Sequence, residues 1–409
     1  MVQEIRIDSY DYPLPDERIA RYPLAQRDDS KLLVFTNASS RVPENRKFRD
    51  LPDCLPENSM IVFNETKVVP ARLLFRKETG ALIEIFCLEP FQPEDYQLCF
   101  ASTATCCWKA IIGNVKRWKG GRLQLYIGAD NPDSAFLTTI NLEAELMQRG
   151  ETSVVSFTWQ GGYSFSQVME HAGRIPIPPY SKRDTEAIDL ERYQTWYAKR
   201  EGSVAAPTAG LHFTQRELDA LDAKGITRMN LCLHVGAGTF LPVKSETIGD
   251  HTMHSEPFSV SRDFLVRLAA KGDRPLTAVG TTSTRCLESL YFLGVHCIEK
   301  GEPALVEQWE PYREKGYDYT LEEALQALIS YMDRAGLTEL HSRTRIIIVP
   351  GYRFRVIDYL VTNFHQPKST LLLLISAFVG DAWHDIYRFA LEHDFRFLSY
   401  GDSSLLQKV

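Results

Sequence analysis

Leu276–Thr–Ala–Val–Gly–Thr–Thr–Ser–Thr–Arg–Cys–Leu–Glu–Ser–Leu–Tyr–Phe–Leu–Gly294 is the stretch on which the fold turns. Leu276–Val279 is a short apolar run between Pro275 and Gly280, the pattern of a buried strand. Residues 283–293 read as a helix that should stop at Gly294. The junction, Gly280–Thr–Thr–Ser–Thr–Arg285, sets hydroxyls and one guanidinium at a helix N-terminus, where free backbone N–H groups suit a carboxylate or phosphate. The same alternation continues in both directions. Thr214 and Glu217 form a T-x-x-E capping box, Gly225 marks a helix end, and residues 228–235 read as a strand. Residues 264–271 read as a helix, 345–349 and 355–361 as strands, and 369–379 and 383–393 as helices. Strand and helix in alternation predict an α/β fold.

One region breaks the alternation. Apart from one early strand, Met60–Asn64, the first 70 residues are turn-rich. From 72 to 159 short β runs follow one another: 82–88, 96–100, 108–112, Arg122–Ile127 and 154–158. Gly80, Gly113, Gly120–Gly121 and Asn131–Pro132 punctuate them. Such spacing predicts a small sandwich or barrel. The expected organisation is a large, discontinuous α/β domain, residues 1–71 and 160–409, carrying residues 72–159 as an inserted β domain. Residues 295–343 read as a separate charged stretch, in which the capping box Thr320–Leu–Glu–Glu323 opens an amphipathic helix running to about Arg334.

The composition of the 409 residues excludes several classes. Hydrophobic residues make up 44% and charged residues 24%, which excludes wholesale disorder and fibrous repeats. With 46 Lys plus Arg against 53 Asp plus Glu, the formal charge is −7, so RNA binding would need a local basic patch. The first ten residues carry Glu4, Arg6 and Asp8 and lack the apolar core of a secretory signal. The longest apolar run, 371–379, is far short of the roughly 20 residues a membrane helix needs. The eight cysteines include no CxxC pair and read as thiols. A cytoplasmic protein is expected.

Residues able to carry chemistry gather where strands meet helices. Ser203–Val–Ala–Ala–Pro–Thr–Ala–Gly–Leu–His–Phe–Thr214 combines small residues, which let a ligand approach the backbone, with the polar tips of Thr208 and His212. Leu233–His–Val–Gly–Ala–Gly–Thr–Phe240 lacks the third glycine and the helix of a dinucleotide fingerprint, and reads instead as a strand-end loop presenting His234 and Thr239. Thr362–Asn–Phe–His–Gln–Pro–Lys–Ser–Thr370 presents Asn363 and His365, and ligands of open α/β sheets bind at such strand ends. Arg396–Phe–Leu–Ser–Tyr–Gly–Asp402 adds Tyr400 and Asp402. His251, His254 and Glu256 have the composition of a metal site but neither a helix nor a third well-placed ligand, so no metal is expected. Lys109, Lys116, Arg117 and Lys119, interleaved with Trp108 and Trp118 and followed by Arg122, are a pointer to RNA: indoles stack on unpaired bases and cations hold phosphates.

In this order these segments resemble one family, the S-adenosylmethionine:tRNA ribosyltransferase-isomerases (QueA) of queuosine biosynthesis. The resemblance runs over most of the chain. It rests on Tyr10–Asp–Tyr–Pro–Leu–Pro15, Arg27–Asp–Asp–Ser30, Asn64–Glu–Thr–Lys–Val–Val–Pro–Ala–Arg–Leu73, Ile177–Pro–Pro–Tyr180 and Tyr193–Gln–Thr195. To these it adds the strand-end loops above, the segment from His251 to Glu256, and Phe397 to Asp402. It implies a large α/β domain with a small inserted β-barrel. It also implies transfer of the ribosyl part of S-adenosylmethionine to 7-aminomethyl-7-deazaguanine at the tRNA wobble position, giving epoxyqueuosine, adenine and methionine. S-Adenosylmethionine is then a co-substrate rather than a cofactor, and the partner is a tRNA with a GUN anticodon. A monomer is expected, with a weak dimer as the alternative.

That chemistry needs a base for the ribose proton beside the sulfonium, and imidazole is suited to it. His212, His234 and His365 are the expected acid/base set. Arg72, Thr208, Thr239, Thr281, Thr282, Arg285, Asn363, Tyr400 and Asp402 are the expected substrate contacts, and Lys109, Lys116, Arg117 and Lys119 the tRNA contacts. Lys67, Arg72, Lys182 and Arg183 are expected to extend the basic face. Residues 295–343 are longer than the usual family connection, and Gly113–Asn–Val–Lys–Arg–Trp118 replaces an Arg-Pro-Ala-type segment. The competing readings are a tRNA-binding protein without catalysis and a relative acting on another modified nucleoside.

Overall fold

The computed structural model describes residues 2–77, 79–127, 139–150, 152–236, 243, 245–313 and 318–409. Its frame is a nine-stranded mixed sheet in the order Glu339–Thr344, Glu256–Ser261, Thr227–Leu233, Met60–Asn64, Leu276–Val279, Tyr359–Asn363, Ser403–Gln407, Lys31–Phe35 and Glu44–Lys47. The four strands from Thr227–Leu233 to Tyr359–Asn363 run parallel. Ser403–Gln407 then runs antiparallel to Tyr359–Asn363, with Asn363 opposite Ser403. The carboxyl ends of the parallel strands and the start of Ser403–Gln407 therefore share one edge, and the loops rich in polar residues issue from it.

Both faces of this sheet are covered, as its near-continuous apolar strands require. Met60, Val62, Leu276, Ala278 and Leu360 face the helices Arg262–Ala269, Thr281–Lys300, Leu321–Ala335, Thr370–Val379 and Trp383–Glu392. Ile61, Phe63, Val279, Val361 and Leu405 face Phe48, Leu51, Phe213, Leu218 and Leu221 on the other side. The capping boxes form as read. Glu217 Oε2 accepts from Thr214 N at 2.8 Å ahead of Gln215–Ala223, and Glu323 Oε2 accepts from Thr320 N at 2.7 Å.

Several expectations shift. The helix begun at Thr281 passes through Gly294 and continues to Lys300. Gly294 is a packing device: a Cβ there would stand 2.1 Å from the carbonyl oxygen of Ala324 on the helix Leu321–Ala335. The stretch 295–343 is thereby built into the main body, its helix packed on Thr281–Lys300 and its strand Glu339–Thr344 on the sheet edge. Residues 345–349 form no strand. Nor do residues 355–357, because the buried Glu288 carboxylate takes the N–H groups of Arg355, Val356 and Ile357 at 2.9, 3.0 and 3.2 Å.

The segment from Arg72 to Thr158, with Gly173–Arg174, makes a second, all-antiparallel sheet of seven strands. It curls around Leu73, Phe75, Ile85, Trp108, Leu142 and Phe157, and the helix Phe165–Ala172 closes over this core. Arg72–Arg76 comes alongside Arg122–Ile127, but no ladder joins them among the described residues, so the sheet is curled rather than closed. Residues 96–100, read as a strand, are a helical turn, Tyr96–Ala101, because Asp95 caps it by accepting from Leu98 N at 2.9 Å. The strand Ile140–Gln148 lacked a sequence signal strong enough to be read.

Candidate functional site

At the shared strand edge the backbone opens a cleft. Ala205–Ala209, Gly280–Thr282 and Thr362–Gln366 line it, with Tyr180 and Ser399. Its floor is a helix end without a side-chain cap: Gly280, at φ +91°, turns the chain from the strand Leu276–Val279 into the helix Thr281–Lys300. Only glycine adopts that conformation readily. The first N–H groups of the helix thus face the cleft beside the hydroxyls of Thr281 and Thr282.

Asn363 is 3% exposed and oriented on three sides. Its Nδ2 donates to the carbonyls of Leu398 at 3.2 Å and Asp402 at 3.5 Å, and lies 3.2 Å from His212 Nε2. Two carbonyl acceptors fix which amide atom is nitrogen. Asn363 Oδ1 is left buried with no protein partner, a strong acceptor in the wall of the cleft. His212 Nε2 must then be an acceptor, so its proton sits on Nδ1, 2.9 Å from Ser30 Oγ. Burial, with Arg396 and Arg27 nearby, pushes the His212 pKa down to about 3. His212 is a neutral ring tilted against Phe48, behind Asn363 rather than in the cleft.

His365 does line the cleft. Its Nε2 is 2.9 Å from Thr362 Oγ1, its N–H donates to the Tyr387 hydroxyl at 3.1 Å, and its carbonyl accepts from the Tyr12 hydroxyl. Burial lowers its pKa to about 3, so the imidazole is neutral. His234 lies elsewhere, in a groove between the main sheet and the helical turn Tyr96–Ala101. There it stacks on Tyr96 at 4.4 Å, and its Nδ1 is 3.1 Å from Thr66 Oγ1. Burial and Arg200 lower its pKa to about 4. Gly202 makes room for the ring, since a Cβ there would come within 2.4 Å of His234 Cε1. The three histidines read as one set therefore occupy three settings.

The other expected contacts divide similarly. Thr208, Thr281, Thr282 and Asn363 converge on the cleft with His365. Arg285 lines an adjoining chamber that shares Thr281, Thr282, Ser369 and Leu371 with it. Tyr400 is turned away, donating to Asp189 Oδ1 at 2.8 Å, and Asp189 is clamped by Arg183 through two 2.7 Å bonds. Asp402 accepts from Lys31 N at 2.9 Å and Arg396 N at 2.7 Å, closing the backbone around the strand start. Arg72 is paired with Glu84 at 2.7 Å in the curled sheet. Thr239 lies outside the described residues. Tyr180 and Ser399, hydrogen-bonded at 2.5 Å across the cleft wall, were not singled out from sequence. The only signal for Tyr180 was its place in Ile177–Pro–Pro–Tyr180.

His254 Nε2 lies 3.1 Å from Glu256 Oε1, and the other Glu256 oxygen accepts from Arg285. Among the described residues no group of three or more His, Cys, Asp or Glu is placed to hold a metal. The cysteines Cys54, Cys87, Cys99, Cys106, Cys107, Cys232, Cys286 and Cys297 are thiols. No helix among the described residues is long and apolar enough to cross a membrane.

The RNA pointer changes character. Lys116, Arg117 and Lys119 are exposed around the short turn Val115–Arg117, whereas Lys109 is paired with Glu89 at 2.6 Å. Trp108 and Trp118 are fully buried in the core of the curled sheet, so neither indole can stack on a base. Alternation along the strand turned Trp108 inward. The Trp118 Nε1 hydrogen bond to Gly121 O, 3.0 Å, holds the second indole over the turn. Arg122 meets Glu143 and Glu145. Lys67, Arg72, Lys182 and Arg183 each face a carboxylate and do not sum to a basic face.

A mixed α/β frame with a cleft at a parallel strand edge, and a curled antiparallel sheet beside it, places the protein among the two-sheet α/β proteins. Within that class the chain belongs to the family described as "Queuosine biosynthesis protein", which residues 7–406 match. It is 39% identical over 413 residues to the S-adenosylmethionine:tRNA ribosyltransferase-isomerase of Mesorhizobium japonicum, covering 99% of each chain. It is 38% identical to that of Brucella ovis, over 99% of this chain and 98% of the relative. A solved S-adenosylmethionine tRNA ribosyltransferase from Thermotoga maritima is 26% identical, covering 97% of this chain and 99% of its own, with a TM-score of 0.46.

Proposed function

We propose that this protein is an S-adenosylmethionine:tRNA ribosyltransferase-isomerase that moves the ribosyl part of S-adenosylmethionine onto 7-aminomethyl-7-deazaguanine at the wobble position of a GUN-anticodon tRNA. The observation that carries the reading is end-to-end identity of 39% with a relative of that name. The cleft is compatible with it. S-Adenosylmethionine is consumed as a substrate: its ribosyl carbons are transferred to the aminomethyl nitrogen and isomerised, and adenine and methionine are the two leaving groups.

In this reading the donor occupies the cleft over Thr208, Thr281 and Thr282. His365 is the imidazole that lines this cleft; burial keeps it neutral at pH 7, and a substrate charge beside it would have to raise its basicity for it to take the proton. Asn363 Oδ1 accepts from an amino group of a substrate, and His212 is the positioning residue that holds the amide. His234, stacked on Tyr96 beside the curled sheet, belongs to a second subsite, with Thr239 nearby in sequence. Lys116, Arg117 and Lys119 meet tRNA phosphates, and Lys109 contributes when Glu89 releases it. Arg72, Tyr400 and Asp402 act as supports.

The proposed division is a catalytic body, residues 1–71 and 160–409, with residues 72–159 as the family's small barrel. The protein works as a cytoplasmic monomer and needs no metal. The test is incubation with S-adenosylmethionine and tRNA carrying 7-aminomethyl-7-deazaguanine, followed by mass spectrometry of the digested tRNA. Epoxyqueuosine is expected. Tight tRNA binding without product would instead favour a binding protein or a different nucleoside.

A further inference from the structure

Next to the cleft, and sharing Thr281, Thr282, Ser369 and Leu371 with it, is a second chamber whose polar end the described reaction has not used. Met253, Ile346, Ile347, Ile348 and Leu374 give it an apolar sleeve, and His251, Thr252, His254 and Thr370 complete the lining. At one end is Arg285, 5% exposed. Its Nη1 donates to Glu256 and its Nε to the Ile346 carbonyl at 3.0 Å. Its Nη2 has no protein partner although it is buried. A buried guanidinium donor left unmatched is costly, and one that borders a chamber is placed to meet an acceptor that a ligand brings. The same chamber reaches Thr281 and Thr282, the uncapped start of the twenty-residue helix. Two independent features, a free guanidinium N–H and a bare helix N-terminus, thus aim at one small volume.

Both favour an anion, and their geometry favours a small one. Glu256 already neutralises the Arg285 charge, so the site offers directed N–H groups rather than net positive charge. That suits a single carboxylate better than a doubly charged phosphate. The apolar sleeve suits a short thioether-bearing chain. We infer that this chamber holds the methionyl arm of S-adenosylmethionine, with its α-carboxylate on Arg285 Nη2 and the N-terminus of the helix Thr281–Lys300, while ribose and adenine occupy the cleft. The inference rests on the function proposed above and adds the orientation of the donor. Thr282, lining both spaces, stands at the sulfonium, so one molecule spans the two chambers. Methionine released by the reaction would then be the product left in the sleeve.

The experiment uses the full chain and two ligands, S-adenosylmethionine and its decarboxylated analogue, titrated calorimetrically, with adenine release measured on the same preparation. The analogue should bind about 10- to 100-fold more weakly, the effect of losing a buried charge-assisted hydrogen bond. Arg285→Lys keeps a charge for Glu256 but lacks the forked second donor. It should weaken S-adenosylmethionine by a similar factor, leave the analogue nearly unchanged, and so erase most of the discrimination. Equal binding of both ligands by the unaltered protein overturns the inference without any variant. So does an Arg285→Lys protein that retains full discrimination. A preparation that releases adenine with tRNA yet binds both ligands alike keeps the function and loses the orientation. One that binds neither ligand and releases no adenine loses the function as well.

Discussion

Three neutral histidine rings, His212 and His365 buried and His234 half-buried in its groove, make the stability of this protein fall steeply in mild acid. His212 and His365 are pushed from 6.5 to about 3, and His234 to about 4, chiefly by burial. In the unfolded chain each takes a proton near pH 6.5, whereas in the folded chain none does until well below pH 5. Between those limits the unfolded state binds more protons, so unfolding free energy rises with pH and falls on acidification. From pH 7 to pH 5 each ring contributes a loss of about 2 kcal/mol, and the three together about 5–6 kcal/mol. His251, lowered by burial, adds in the same direction. Glu288, raised by burial, opposes it, because its folded form takes a proton earlier. Glu256, held at about 2 because Arg285 and His254 outweigh burial, keeps its contribution across this window and loses it only in stronger acid. Since a whole domain has about 5–15 kcal/mol to lose, the cooperative transition should weaken sharply near pH 5. Urea unfolding followed by tryptophan fluorescence at pH 7, 6 and 5 measures this. An unfolding free energy constant within about 1 kcal/mol over that range would refute the neutral rings.

Other consequences are more local. His212→Phe keeps the ring against Phe48 but takes from Ser30 Oγ its imidazole partner and from Asn363 Nδ2 one of its three. It should cost about 1–3 kcal/mol of stability and lower kcat while leaving the shape of the pH–rate profile intact. Loss of the acidic limb of that profile would make His212 the proton acceptor after all. Gly294→Ala forces apart the helices Thr281–Lys300 and Leu321–Ala335 and should lower stability by about 1–3 kcal/mol or more. An unchanged thermal midpoint would mean the helices do not meet there. Replacing Lys116, Arg117 and Lys119 together by Gln should weaken tRNA binding and flatten its salt dependence by about two to three counterions, with S-adenosylmethionine binding untouched. An unchanged salt slope would place the tRNA on another surface.

The parts of the fold legible in the sequence were those fixed by local chemistry. Leu276–Val279, Met60–Asn64 and Arg122–Ile127 are strands with the read boundaries, and the Thr214 and Thr320 capping boxes open the helices read from them. The misread elements are those decided at a distance. Gly294 looks like a helix stop until Ala324 packs on it, and residues 355–357 look like a strand until Glu288 claims their N–H groups. At the site, residues on strand ends were found because parallel strands bring their carboxyl ends together. Which way each side chain points was not written locally. His212, Tyr400 and Asp402 stand in polar loops, yet they turn inward to Ser30 and Asn363, to Asp189, and to the N–H groups of Lys31 and Arg396. The two indoles failed as base-stacking candidates for the related reason that they fill a core their neighbours in sequence do not reveal.

The proposed function stands on the reaction itself. The most direct measurement is adenine released from S-adenosylmethionine by the purified protein, with and without tRNA bearing 7-aminomethyl-7-deazaguanine, with the digested tRNA weighed for epoxyqueuosine. Adenine release should depend on that tRNA and equal the epoxyqueuosine formed. Methyl transfer, or adenine release indifferent to the tRNA with no new nucleoside, would contradict the proposed function.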